Sequence, residues 1–249
     1  MNTKTELEKL CKSYENKDFI KDDPIQFPHR YKNKRDIEIA GFLASLFAYG
    51  KRELFINVLN KMFAQMGDSP LEFILSNGKV EGIDYRFSKN IDIAQILEIL
   101  HKLYTEDNSS LEELFAHGWR QFGEVALMLQ VVADYFYSNV SKDVTAGFYH
   151  LIPNPAKKSP LKRMNMFLRW MVRDGEVDLG IWHFMPKSAL LIPLDVHVAR
   201  ISRKLNILSR SANDLKSVQE LSDKLKKFDE NDPVKYDFAL FGYGVNNQL

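Results

Sequence analysis

Ser159-Pro160-Leu161-Lys162-Arg163-Met164-Asn165-Met166-Phe167-Leu168-Arg169-Trp170 opens like a helix. Ser159 can accept from free backbone N–H groups, and Pro160 suits the first turn, where its missing donor costs nothing. Met164, Phe167, Leu168 and Met171 follow at spacings of three and four and predict the buried face. At about 100° per residue, Lys162, Arg169 and Arg173 return to nearly one azimuth on the opposite side. Lys162 would stand in the first helical turn, beside Arg163 and close to Lys157 and Lys158. The positive helix end and those cations both disfavour an ammonium ion and push this lysine toward the neutral amine. A neutral amine can attack a carbon centre and form a Schiff base. The same spacing equally describes a solvated surface lysine.

Helical spacing continues on both sides of this stretch. Ile37, Phe42, Leu46, Leu54, Val58 and Met62 belong to one apolar series, weakened locally by Gly41 and Gly50. Asp68-Ser69-Pro70 reads as a cap with proline just inside the next helix. Ile93, Ile96, Leu97 and Leu100 repeat at three and four, as do Leu111, Leu114 and Phe115 behind the cap candidates Asn108 and Ser109. Val125 to Val140 predicts a longer apolar helix. No segment alternates apolar and polar residues over a useful length, so strands are not expected. An all-α chain of ten or more helices follows, as one domain over residues 1–249 with two closely packed lobes.

Composition agrees with a globular class. The chain has 249 residues, 45% hydrophobic and 27% charged, which excludes wholesale disorder and suffices for a sizeable core. Its most apolar run, Ile37–Ala48, is too short to span a bilayer and carries Glu38. The polar opening MNTKTELEKLCKSYENKD lacks the apolar core of a secretory signal, so a cytoplasmic protein without membrane attachment is expected. Cys11 is the single cysteine, so no internal disulfide or cysteine-held zinc or iron–sulfur centre can form, and neither metal nor cofactor is expected. The net charge of +1 hides local clustering. Between Leu151 and Arg173 six basic residues meet no acidic one, and between Lys187 and Arg210 five face only Asp195. Clusters of this kind suit a polyanion, because the field decays over roughly 8–10 Å at physiological salt. They also describe ordinary solvated helix faces.

The second informative stretch is Pro193-Leu194-Asp195-Val196-His197-Val198-Ala199-Arg200-Ile201-Ser202-Arg203. Leu194, Val198, Ile201 and Leu205 mark the core side of a helix whose N-cap is Asp195. A cap of this type contributes about 1 kcal/mol. The same geometry fixes an anion where it can stabilise a developing cation or assist proton transfer. His197 and Arg200 lie on another face, suited to phosphate. Asp195 and His197 are two apart on a helix and do not face each other, which argues against a metal pair.

Pro193-Leu194-Asp195-Val196-His197-Val198 with Arg200 resembles the helix start of the helix-hairpin-helix DNA glycosylases. The segment from Leu151-Ile152-Pro153 to Ser159-Pro160-Leu161-Lys162-Arg163 is similar to their hairpin and lysine-bearing helix, so the region of about 151–205 would hold the site. The resemblance implies that Lys162 matches the nucleophile that attacks C1′ of a damaged nucleotide, and Asp195 the essential carboxylate. Asp195 follows Lys162 by 33 positions. That separation is closer to the archaeal 8-oxoguanine glycosylase branch than to the endonuclease III branch. KRMNMFLRWMVR, VDLGIW, IPLDVHVARISRKL, DPVKYDFALFGYG and AGFLASLFAYGKR together resemble an uncharacterised bacterial family of unknown function allied to these enzymes.

The likeness has two departures. Asn154-Pro155-Ala156-Lys157-Lys158-Ser159-Pro160 replaces the glycine-rich hairpin that presents N–H groups to a DNA phosphate; the lysines could substitute by charge. The iron–sulfur cysteines of one branch are absent. Lys157, Lys158, Arg163, Arg169, His197, Arg200 and Arg203 are the expected nucleic-acid contacts. Trp182, His183, Phe184 and Tyr49 are the aromatic candidates for a pocket receiving an extruded base. Phe238, Phe241 and Tyr243 read as packing in the last helix. The resemblance therefore implies a DNA glycosylase, with or without lyase activity, acting on an oxidised or modified purine in base excision repair. A catalytically silent nucleic-acid-binding module of the same fold and a helical protein-interaction domain are the alternatives.

Overall fold

The computed structural model describes residues 3–141 and 143–246, and its regular elements there are all helical. They are α1 (Thr3–Tyr14), α2 (Lys17–Asp22), α3 (Lys34–Phe47), α4 (Arg52–Met66), α5 (Pro70–Leu75), α6 (Asn90–Thr105) and α7 (Leu111–Phe122). α8 (Val125–Asn139), α9 (Ala146–Leu151), α10 (Lys162–Val172), α11 (Val196–Lys204), α12 (Leu215–Lys226) and α13 (Tyr236–Asn246) follow, with short 3-10 turns between some of them. Two compact units divide the chain: residues up to 23 join those from 156 onward, and residues 24–155 form the other. Among the described residues no helix is long and apolar enough to cross a membrane.

Local chemistry explains where most helices begin. Ser69 caps α5 by accepting from Glu72 N, with Pro70 as its first residue, as the sequence predicts. The α7 cap falls on Ser110 rather than Asn108 or Ser109, because Asn108 takes a left-handed turn conformation (φ 45°) before the helix starts. The long apolar series splits into α3 and α4 around Gly50, whose φ of 80° no helix accommodates.

In the 24–155 unit, α3 is buried on nearly every side. A helix apolar all round belongs in a core, and the Phe42 ring stacks on Phe136 at 5.5 Å between centres. Its acids are satisfied rather than exposed. Glu38 accepts from Arg35 Nη1 (2.9 Å) and Tyr104 Oη (2.6 Å), and Asp36 accepts from Ser69 Oγ and Leu71 N, both at 2.8 Å. Buried carboxylates with this many donors fasten α3 to α5, α6 and α7.

The other unit gathers α1, α11, α12 and α13 around Leu7, Val198, Leu221, Leu225, Tyr236 and Leu240. α13 packs against both α1 and α11. Cys11 lies in that core, its thiol donating to the Lys235 carbonyl at 3.4 Å. Burial pushes its pKa up to about 12. α10 crosses the same unit with Phe167, Leu168, Trp170 and Met171 wholly buried. Each such side chain is worth about 1.5–3 kcal/mol in apolar burial.

A loop after α10 folds back onto that helix end. Leu179 N and Gly180 N donate to Trp170 O, and Trp182 N donates to Met171 O at 2.7 Å, so carbonyls without helical partners are satisfied. Gly180 makes the turn possible. Its φ is 57°, and a Cβ there would lie 2.8 Å from the Asp174 backbone. The return of this loop carries Asp178 back alongside α10.

Candidate functional site: a lysine among carboxylates

α10 starts later than its sequence suggests. Its N-cap is Leu161, left-handed at φ 51°, and Lys162 is the first helical residue; Ser159 and Pro160 stand outside. Lys158 is also left-handed, at φ 58°. The segment that lacks hairpin glycines thus adopts, with ordinary side chains, two conformations for which glycine is the usual choice, at a cost of roughly 1–2 kcal/mol each. Buried Leu161 and the bonds Asn165 Nδ2 to Pro160 O (3.2 Å) and Leu215 N to Lys158 O (2.9 Å) hold this strained path.

Lys162 is half-buried, and its Nζ donates to Met166 Sδ at 3.2 Å, one turn along the helix. Burial lowers its pKa below the usual lysine range, against the opposing pull of Asp195, Asp23 and Asp237. The sequence predicts such a shift from the helix end and neighbouring cations. Here loss of hydration is the main cause, and the strongest charged neighbour is the predicted Asp195 carboxylate.

Asp195 caps α11 as expected. Its Oδ1 accepts from His197 N and Val198 N, both at 2.8 Å, so Oδ2 takes no part in the cap. Leu194, Val198 and Ile201 are buried on the core side. The fold therefore brings the 33-residue-separated lysine and aspartate into one electrostatic neighbourhood.

The outward basic stripe on α10 is not formed. Arg169 and Arg173 are 2% and 4% exposed and point into a buried ion network. Arg169 Nε donates to Asp178 Oδ1 at 3.1 Å, and its Nη1 pairs with Asp237 Oδ2. Arg173 donates to Asp178 Oδ2 at 2.9 Å, to both Asp232 oxygens at 3.0 Å, and to Glu15. Both guanidinium groups lie over the Phe238 ring, at 4.3 and 5.5 Å. Arg169 is thus a structural ion-pair residue in this chain and is withdrawn from any phosphate.

The remaining candidates divide by exposure. Lys157 and Lys158 are exposed, and Arg163, His197, Arg200 and Arg203 are partly buried. Arg200 donates to Gly244 O at 2.7 Å, which ties α11 to the end of α13. Arg203 donates to Arg210 O (2.8 Å) and Ala212 O (3.1 Å), bracing the turn before α12. The His197 ring meets Phe241 edge-on at 6.1 Å. Trp182 is wholly buried, edge-on to Phe167 at 5.1 Å, so it is a core ring. Phe184 packs 5.7 Å from Trp182, and His183 is exposed. Tyr49 belongs to the 24–155 unit, where its hydroxyl donates to Tyr85 O at 3.1 Å and its ring lies 4.6 Å from His150.

Sequence reasoning missed Asp178 and Asp237. Each is an acid between apolar neighbours, in Val177-Asp178-Leu179 and Tyr236-Asp237-Phe238, and that flanking is the available signal for a buried carboxylate. Burial raises the pKa of Asp178 despite Arg169 and Arg173. Burial likewise raises Asp237 to about 7, with Arg169 opposing and Asp195 reinforcing the shift.

Fold and site together define an all-helical protein with a half-buried amine set among carboxylates. Residues 23–246 match the family described as a protein of unknown function (DUF2400), and the chain belongs to that family. No curated protein and no solved structure matches it.

Proposed function

We propose that this chain is a DNA glycosylase with lyase chemistry that removes an oxidised or otherwise modified purine, on a helix-hairpin-helix glycosylase-like arrangement. What supports the reading is the electrostatic coupling of Lys162, its amine favoured by burial, to Asp195, whose Oδ1 caps α11. The segment Asn154–Pro160 stands in for the hairpin, and exposed Lys157 and Lys158 supply its phosphate contacts by charge. In the reaction, the Lys162 lone pair forms a bond to C1′ as the glycosidic bond breaks; the base departs with the electron pair of that broken bond and takes up the proton that the attached nitrogen releases. Opening of the sugar ring then converts the adduct to an iminium. Asp195 stabilises the cation that develops at C1′.

Borohydride reduces an iminium to a permanent secondary amine, so trapping is the direct test. Full-length protein is incubated with duplexes carrying 8-oxoguanine, uracil, an alkylated purine or an abasic site. A covalent adduct that disappears in Lys162→Gln and weakens strongly in Asp195→Asn is expected. Absence of both adduct and base release across the panel sinks the proposal. The missing hairpin glycines favour a second reading, a catalytically silent nucleic-acid-binding module. Its signature is salt-dependent DNA binding that survives both substitutions without trapping or base release.

A further inference from the structure

Away from the lysine, the 24–155 unit holds one aromatic ring in solvent on a tightly built turn. Tyr85 and Ser88 exchange both backbone hydrogen bonds at 2.8 Å, so Arg86 and Phe87 are the corners of that turn. Arg86 is left-handed at φ 52°, where glycine is the usual choice, and the arginine is kept there against backbone strain. The turn is fastened on both sides. Tyr85 Oη donates to Tyr49 O, and Tyr49 Oη donates to Tyr85 O at 3.1 Å and lies 3.2 Å from Ser88 Oγ. Gly147, in the first turn of α9, admits Ser88, because a Cβ there would lie 2.6 Å from Ser88 Cα. Phe87 is nevertheless 58% exposed. Its ring is parallel to that of Tyr49 within 8°, with centres 6.5 Å apart, and His150 meets the two rings edge-on at 5.2 and 4.6 Å. Neighbouring rings thus fix the orientation of a ring that stays largely in water.

The charge beside that ring is positive. Arg86 is exposed, its guanidinium is 5.4 Å from the Phe87 ring centre, and it joins no ion pair among the described residues. Its Nη1 would lie 2.9 Å from a Cβ on Gly50, which puts Lys51 and Arg52 next along the chain. Residues 49–54 and 84–91 set Lys51, Arg52, Arg86 and Lys89 against Glu53 and Asp84, and Asp84 is already paired with Lys89 at 3.4 Å. We propose that this turn is a stacking site for single-stranded DNA, in which an unpaired base lies on the Phe87 ring and Arg86 meets an adjoining phosphate. A rigidly held aromatic face takes any base, and a nearby cation holds the backbone. The unpaired arginine favours this occupant over an apolar protein segment, which would bring it no counter-charge. The inference goes beyond the glycosylase reading and does not need Lys162 to react.

The test is fluorescence anisotropy of the full-length protein with two labelled strands of about 12 nucleotides, an oligothymidylate and a strand made only of abasic residues, from about 50 to 200 mM salt. Phe87→Ala should weaken oligothymidylate binding at least about fivefold, the loss of one base–aromatic stack, with the dependence on salt unchanged. It should leave the abasic strand unaffected, since that strand has no base to stack. Arg86→Gly relaxes the left-handed backbone and so keeps the fold; it should weaken both strands and lower the salt slope by about 0.7. Phe87→Leu keeps apolar area without an aromatic face and should behave like Phe87→Ala; it decides alone if the alanine variant does not fold. Wild-type affinity for oligothymidylate in either Phe87 variant overturns the inference. Equal binding of the two strands by the wild type, or no binding at about 50 mM salt, does the same. Borohydride trapping on an abasic duplex, run on the same preparations, keeps the two proposals apart. An adduct without a Phe87 effect removes the stacking site and keeps the glycosylase reading. A Phe87 effect without an adduct does the reverse.

Discussion

Replacing Asp178 by Asn removes the charge shared by Arg169 and Arg173 while hardly changing side-chain volume. Two charge-assisted bonds are affected, at 3.1 and 2.9 Å. Each is worth about 1.5–3 kcal/mol, and breaking one side of a buried ion pair typically costs about 3–5 kcal/mol. Asn keeps one acceptor oxygen, Arg169 keeps Asp237, and Arg173 keeps Glu15 and Asp232, so the lower end applies. The expected loss is about 3 kcal/mol, and with a urea slope of about 2 kcal/mol/M the midpoint falls by about 1.5 M. Trp170 and Trp182, two of the three tryptophans, are buried on α10 and the loop behind it, so fluorescence emission reads this unit. Asp18→Asn is the control, because its ion pair with Lys21 is fully in solvent and its loss should leave the midpoint unmoved. A midpoint shift below about 0.3 M for Asp178→Asn would refute the view that this network fastens the unit.

Asp195→Ala should lose about 1 kcal/mol of stability with its cap, whereas Asp195→Asn keeps most of the cap and, on the proposed glycosylase reading, traps far less. Thermal unfolding beside borohydride trapping reads both, and equal trapping by the Asn variant and wild type would count against a role for the charge. Lys158→Gly relieves a left-handed strain of roughly 1 kcal/mol at an exposed position, so Tm should rise by about 2–4 °C while DNA affinity at low salt falls. An unchanged or lower Tm contradicts the strain argument. Folding raises the Asp237 pKa from the ordinary carboxylate range to about 7, so the native state binds the extra proton between those limits. The associated stability is complete below about pH 4 and lost as pH climbs to about 7. The stability difference between wild type and Asp237→Asn, from urea titrations across that window, should therefore shrink with rising pH and then level off. A difference independent of pH refutes the assignment.

Elements governed by neighbours in sequence were legible beforehand. Ser69-Pro70, the Asp195 cap, the helix from Val125 and the core side of α11 each follow from hydrogen-bond demand and apolar spacing within a few residues. The start of α10 was not, because the left-handed Leu161 is imposed by burial of its side chain and by Asn165, and no propensity favours it. Arg169 and Arg173 misled for a related reason. Periodicity assigns charges to the outside unless partners are known, and theirs arrive from Glu15, Asp178, Asp232 and Asp237, as many as 158 positions away. The placement of Lys162 in the first turn of α10 and of Asp195 at the α11 cap follows from local pattern. Asp237 depended on the packing of α13 and emerges only in three dimensions.

The lone thiol offers a use that has nothing to do with chemistry at the lysine. With Cys11 buried and its ionisation pushed to about 12, the thiolate is negligible at neutral pH while the seam between α1 and α13 is closed. An alkylating reagent reaches the sulfur only during moments when α1 lifts away, so its uptake rate is a stopwatch for that one opening. Since no second cysteine exists, bulk mass spectrometry of the unmodified natural chain would time this event without engineered labels.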